Sequence, residues 1–163
     1  MKRTRLLTQL QAPQDLDYVE RFQTLAAVNL EIRRTGPSSP RLLRKAALEM
    51  DIGNHAAALA AARHACQLTP KESEAHFQVA RALVLLALVR SKAIAGAPGT
   101  PDETGEAPAQ LLHDAVQEFK AVLRLNPEDL EALEDVAILE TMMLTNPTDR
   151  ALEQALRRQV EGV

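Results

Sequence analysis

Aromatic side chains are scarce in this sequence, which has no Trp, one Tyr and three Phe (Tyr18, Phe22, Phe77 and Phe119). Its core has to be assembled from small and medium aliphatic side chains, of which Ala and Leu supply most. The strand formers Val, Ile and Thr are comparatively sparse, whereas Ala, Leu, Glu, Arg and Gln favour helix by up to ~0.7 kcal/mol per residue over the poorer formers. Cys66 is the only cysteine, which excludes an internal disulfide and agrees with a reducing compartment. The longest apolar run, ALVLLALV at 82–89, is far short of the roughly 20 residues that span a bilayer. The opening MKRTRLLTQLQAPQD is basic but lacks the apolar centre of a secretory signal, so a cytoplasmic location without membrane insertion is expected. A charge surplus is missing too. The 19 basic and 22 acidic side chains are mixed along the chain and sum to −3, which leaves no electrostatic footprint for nucleic acid.

What the sequence does have is regular punctuation. The 163 residues suffice for one domain with its own core. Residues 1–15 show no periodicity and are expected to be irregular. Asp15 can cap a helix over about 16–34, with Val19, Phe22, Ala26 and Leu30 as its apolar stripe and Gly36 ending it. Ser39 is a candidate cap for the next helix, with Pro40 at its first position, where a missing N–H costs nothing. That helix is expected to run to about Ile52, and a second, capped by Asn54, to reach Leu68. A long helix follows over about 72–95. The stretch 96–108 then holds three Gly and three Pro in 13 residues and is read as a loop. Helices over about 109–125, 128–144 and 148–161 are separated by the Asn-Pro pairs 126–127 and 146–147, because a residue before proline is pushed out of the α region.

The chain also repeats itself. RLNPEDLEALEDVA (124–137) restates QLTPKESEAHFQVA (67–80), sharing Leu68/Leu125, Pro70/Pro127, Glu74/Glu131, Ala75/Ala132, Val79/Val136 and Ala80/Ala137. From Ala46, small or structural residues fall at Ala58, Ala65 and Pro70, in steps of twelve, seven and five. From Ala80 they fall at Ala115, Val122 and Pro127, in steps of thirty-five, seven and five. The second unit is thus the first with 23 residues inserted between its helices, and a third opens at Ala137. Repetition of this kind has a physical reason: one helical hairpin cannot bury its apolar face alone, whereas stacked hairpins share a core.

The spacing and the residues Ala46, Ala58, Ala65 and Pro70 resemble the tetratricopeptide repeat family, whose unit is a 34-residue helix-turn-helix. Leu42, Glu49 and Ala62 stand where that pattern carries aromatics, and Phe119 keeps one of them. The resemblance implies an all-α, right-handed superhelix of about seven helices. Its parts would be a capping helix at 16–36, a first repeat at 39–72, a second at 73–129 with an inserted extended hairpin and a Pro/Gly loop at 96–108, and a third with a C-terminal cap at 130–161. The 72–95 helix, longer than the ~15 residues that a 34-residue hairpin leaves each helix, would overhang the stack, with Leu88, Val89, Ala93 and Ile94 meeting Leu111, Leu112 and Val116 of the returning helix. The resemblance also implies a concave groove for a partner segment, lined by Leu43, Ala47, Met50, Phe77, Arg81, Val84, Glu131, Glu134, Ile138 and Met142. The family's basic clamp for chaperone C-terminal carboxylates maps onto Leu43, Ala47, Gln78, Glu131 and Asp135, so its cations are replaced by acids. The expected partner is another protein, presenting an apolar helical or extended segment with basic residues. A non-catalytic scaffold or adaptor is the leading expectation. Translocator chaperones of bacterial type III systems, similar in length but lacking the insert, and regulatory subunits of enzyme complexes are the alternatives.

No cofactor, metal site or enzymatic activity is expected. His55, His64, His76 and His113 lack the spacings of metal-binding helices, and His64 and Cys66 point about 200° apart on one helix. The 96–105 stretch has no preceding strand and no Gly-Lys-Ser/Thr, so it is no phosphate loop. The acids Glu128, Asp129, Glu131, Glu134 and Asp135 open a helix, where carboxylates suit the positive end of its dipole.

Overall fold

In the computed structural model, which describes residues 16–96 and 106–161, the chain bends wherever Gly, Pro or Asn interrupts a helical run. Seven helices result: α1 (Leu16–Thr35), α2 (Ser39–Asp51), α3 (His55–Leu68), α4 (Ser73–Gly96), α5 (Pro108–Leu125), α6 (Leu130–Thr145) and α7 (Asp149–Glu161). The described residues contain no strand. Segment 1–15 and residues 97–105 of the Pro/Gly loop lie outside the described residues, as do the side chains of Ala93 and Ile94.

The caps refine the expected boundaries. α2 starts one residue before Pro40, with Ser38 as the flanking residue. Ser39 is therefore not a cap: it is buried, and its hydroxyl donates to the Glu72 carboxylate, tying the start of α2 to the turn between α3 and α4. Thr69 Oγ1 lies 2.7 Å from that same carboxylate. Asn54 flanks α3 without a side-chain cap bond. Asp129 does cap α6, its Oδ1 accepting the Ala132 N–H at 3.1 Å, which moves the start of that helix from 128 to 130. Gly36 and Gly53 end α1 and α2 at φ +86° and +85°, a left-handed conformation open to glycine at little cost.

Small residues set the packing. Ala46, Ala58, Ala62, Ala65, Ala80 and Ala115 are fully buried, and Val122 with them. α4 is the centre: every residue from Val79 to Leu88 except Arg81 is buried, and the helix packs on α2, α3, α5 and α7. Its most extensive pairing is with α5, where Phe77 meets Phe119 edge-on at 5.6 Å between centroids. Near the far end of α4, an Arg90 guanidinium nitrogen donates to the Glu106 carbonyl at 2.7 Å and so joins the two arms of the long hairpin.

α7 folds back across α4 and α5, and along the far part of α4 Leu88, Arg90 and Ser91 are buried while Val89 is exposed. α7 barely touches α6, and Ala137, unlike Ala46 and Ala80, is exposed. The third unit therefore departs from the first two: α6 packs on α5, while α7 seals the apolar far half of α4 with Leu152 and Leu156. Finally, the stripe Val19, Phe22, Ala26 and Leu30 of α1 faces outward, and the helix is seated on α2 by Leu25, Val28 and the partly buried Ile32.

One side-chain bridge fastens the first unit to the second. His76 Nε2 is 2.8 Å from the Pro70 carbonyl and Nδ1 is 2.7 Å from Glu118 Oε2. Both partners only accept, so the ring satisfies both only as the doubly protonated imidazolium. Burial pulls the His76 pKa down, but the Glu118 and Pro70 contacts outweigh it and hold it above the ordinary value. The stabilisation is thus complete below about pH 6.5, the unfolded value, and fades as pH rises through the folded one. Replacing His76 with Gln is expected to lower the urea midpoint clearly at pH 6 and much less at pH 9, read from paired denaturation curves.

Candidate functional site

Arg81 of α4 lies within electrostatic reach of Asp51 on α2 and of Glu131 and Asp135 on α6, which marks a surface that these three helices share. On α2, Leu43 and Ala47 are partly buried and Asp51 is exposed at the last position. On α4, Arg81 interrupts the otherwise buried run. On α6, Glu131, Asp135, Ile138 and Met142 are partly buried and Glu134 is exposed. Ile138 and Met142 join Val84, Leu88, Leu112 and Leu156 around an apolar recess whose free space of about 20 Å³ admits a single water and no organic ligand. A wider cleft of about 480 Å³ opens between α6 and α7, lined by Ala137, Ile138, Thr141, Met142 and Gln159 among others.

Of the ten expected groove residues, Leu43, Ala47, Arg81, Glu131, Ile138 and Met142 are partly buried and Glu134 is exposed, whereas Met50, Phe77 and Val84 are buried. Phe77 is spent on Phe119, and Val84 is among the side chains around the recess closed by Leu156 of α7.

The electrostatics centre on Arg81. Burial lowers its pKa, while Asp51, Asp135, Glu131 and Glu74 act in the opposite sense. Its Nε is buried without a hydrogen-bond partner. Beside it, Gln78 donates from Nε2 to Glu74 Oε1 at 2.8 Å, and its own buried carbonyl oxygen has no partner. The Asp135 carboxyl is pushed up to about 6, first by burial and then by Glu134, Glu131 and Asp129, with Arg81 pulling it down. Three carboxylates against one guanidinium leave Asp135 in a field that favours bringing in another cation.

The repeat spacing points to Arg81, Glu131 and Glu134 in the groove and to Asp135 as a clamp position, but not to Asp51. Asp51 had a readable signal: a carboxylate at the C-terminal end of a helix opposes the dipole, so something other than helix stability holds it there.

Two further chemistry-bearing side chains have shifted pKa values. Burial, Glu118 and Glu72 raise the partly buried Cys66 thiol to about 11, so it stays protonated and weakly nucleophilic at neutral pH. Burial lowers the pKa of His55. Among the described residues, no three His, Cys, Asp or Glu side chains are grouped to hold a metal ion, and no helix is long and apolar enough to cross a membrane.

The raised Asp135 pKa carries a stability consequence. An unfolded Asp titrates near 3.9, so its ionisation destabilises the fold progressively as pH rises from about 4 to 6. Asp135→Asn is expected to raise stability at pH 7.5 by about 1 kcal/mol, after discounting for partial solvent screening. The gain should vanish near pH 4, as read from thermal melts at both pH values.

Neither models of known families, nor curated proteins, nor solved structures provide a match to this chain.

Proposed function

We propose that this chain is a non-catalytic scaffold or adaptor of tetratricopeptide-repeat type. It holds a segment of another protein between α2, α4 and α6, and that segment is apolar with at least one Lys or Arg. The observation carrying this reading is the charge cluster around Arg81, where the partly buried Asp135 carboxyl is kept at a raised pKa among other acids, next to apolar side chains that reach the surface. A cation from the partner would restore the charge balance around Asp135, and burial of Leu43, Ala47 and Ile138 would supply ~25 cal/mol per Å² before the costs of association. The same acids repel a C-terminal carboxylate, so chaperone-tail recognition is a poor fit. The burial of Ala46, Ala58 and Ala65, and of their counterparts Ala80, Ala115 and Val122, supports the repeat assignment for the first two units. The third is an end unit whose last helix has been redeployed as a cover. The cytoplasm suits such an adaptor and its lone thiol.

A random peptide library displayed on phage and selected against the full chain tests this. Selected peptides should be enriched in Leu, Ile, Val, Lys and Arg and depleted in Asp and Glu. Their affinity should fall by about tenfold or more in Asp135→Lys, a loss of about 1.4 kcal/mol. Selection of acidic C-terminal peptides, or affinities indifferent to that change, would refute the reading.

A further inference from the structure

The outward face of α1 is apolar: Val19 is 64% exposed, Phe22 47% and Leu30 46%, with Ala26 exposed between them. The order of these side chains is symmetric. Counting from Ala26, Phe22 and Leu30 lie four residues before and after, and Val19 and Arg33 seven before and after. All five fall within about 80° of one helix face, opposite the Leu25 and Val28 side that rests on α2.

We propose that α1 pairs antiparallel with α1 of a second copy of this chain, about a two-fold axis through Ala26. Such an isologous interface must be self-complementary. Here Phe22 lies opposite Leu30 of the second copy, and Ala26 meets Ala26, where two small side chains let the backbones approach closely. Val19 lies under the aliphatic stem of Arg33, whose charged end remains in water. Charge fixes the direction. On one flank the exposed Glu20 falls within one helical rise or two of Arg34 of the second copy, and symmetry makes that contact twice. A parallel pairing would set Arg33 against Arg33 and Arg34 against Arg34. One helix pair is a small interface, at or below the lower end of stable protein contacts, so the dimer is a weak one, forming at micromolar concentration.

Sedimentation velocity over a dilution series of the full chain is expected to show a reversible monomer–dimer equilibrium. Ala26→Glu places two carboxylates face to face on the axis and should shift its midpoint about tenfold or more toward monomer. Because Ala26 is exposed in the single chain, the helical circular dichroism should not change. Glu20→Arg and Arg34→Glu should each weaken association, and a mixture of the two variants should restore it, since each then meets the opposite charge. A wild-type chain that stays monomeric throughout overturns the proposal, as does association that Ala26→Glu leaves untouched. A mixture associating no better than its components overturns the antiparallel register.

Discussion

The structure depends on how closely four helices can approach α4. That helix is apolar almost all round and contributes no large ring except Phe77, so its burial relies on short distances to α2, α3, α5 and α7. Ala at the crossings makes those distances possible. A methyl side chain loses no rotamer freedom on burial and lets backbones come to the near end of the 8–10 Å range for packed helices. Dispersion contacts between such surfaces are individually small but dense, which is how a chain with so few aromatics can keep a dry core.

The length of α4 then decides the rest of the architecture. At 24 residues it extends about 36 Å, twice what the 13-residue α2 beside it can cover. The surplus carries Leu85, Leu86 and Leu88, and exposing them would leave a broad apolar patch. α5 covers one side of it and α7, with Leu152 and Leu156, another. A helix committed to α4 cannot also lie along α6, so α6 and α7 diverge after the three-residue link 146–148 and a cleft opens between them. The length of α4 thus decides where α7 goes, while the acids Glu131 and Asp135 of α6 and Asp51 of α2 stay within electrostatic reach of Arg81.

Helix boundaries were legible because they are written in local chemistry. Pro, Gly and Asn stop a helix wherever they stand, and observed ends fall within about two residues of those expected from them. Helix partners were less legible. Periodicity tells which face of α7 is apolar but says nothing of whether α6 or α4 will cover it, since both offer leucines. α1 has two apolar faces, Val19–Phe22–Ala26–Leu30 and Leu25–Val28–Ile32, and the sequence alone gives no reason to seat one before the other. The groove inherited the same ambiguity: Met50, Phe77 and Val84 occupy inner-surface positions by spacing, yet their neighbours bury them. The polar members survived because a charged side chain is forced to the surface whichever helix lies alongside.

That difference makes the charged residues the more informative part of the site. A fold selected for stability alone would not place Asp51 at the negative end of α2, nor keep Asp135 partly buried beside Glu131 and Glu134 with its pKa raised to about 6. Nor would it bury the Nε of Arg81 without a hydrogen bond, since an unmet buried donor costs about 1–3 kcal/mol. Arg81 softens the repulsion around Asp135 without cancelling it, because one guanidinium faces several carboxylates that lie on three different helices. The strain is spread over α2, α4 and α6 at the one surface that all three share. A cation entering there would offset the carboxylates of all three helices together, which no rearrangement within a single helix can do.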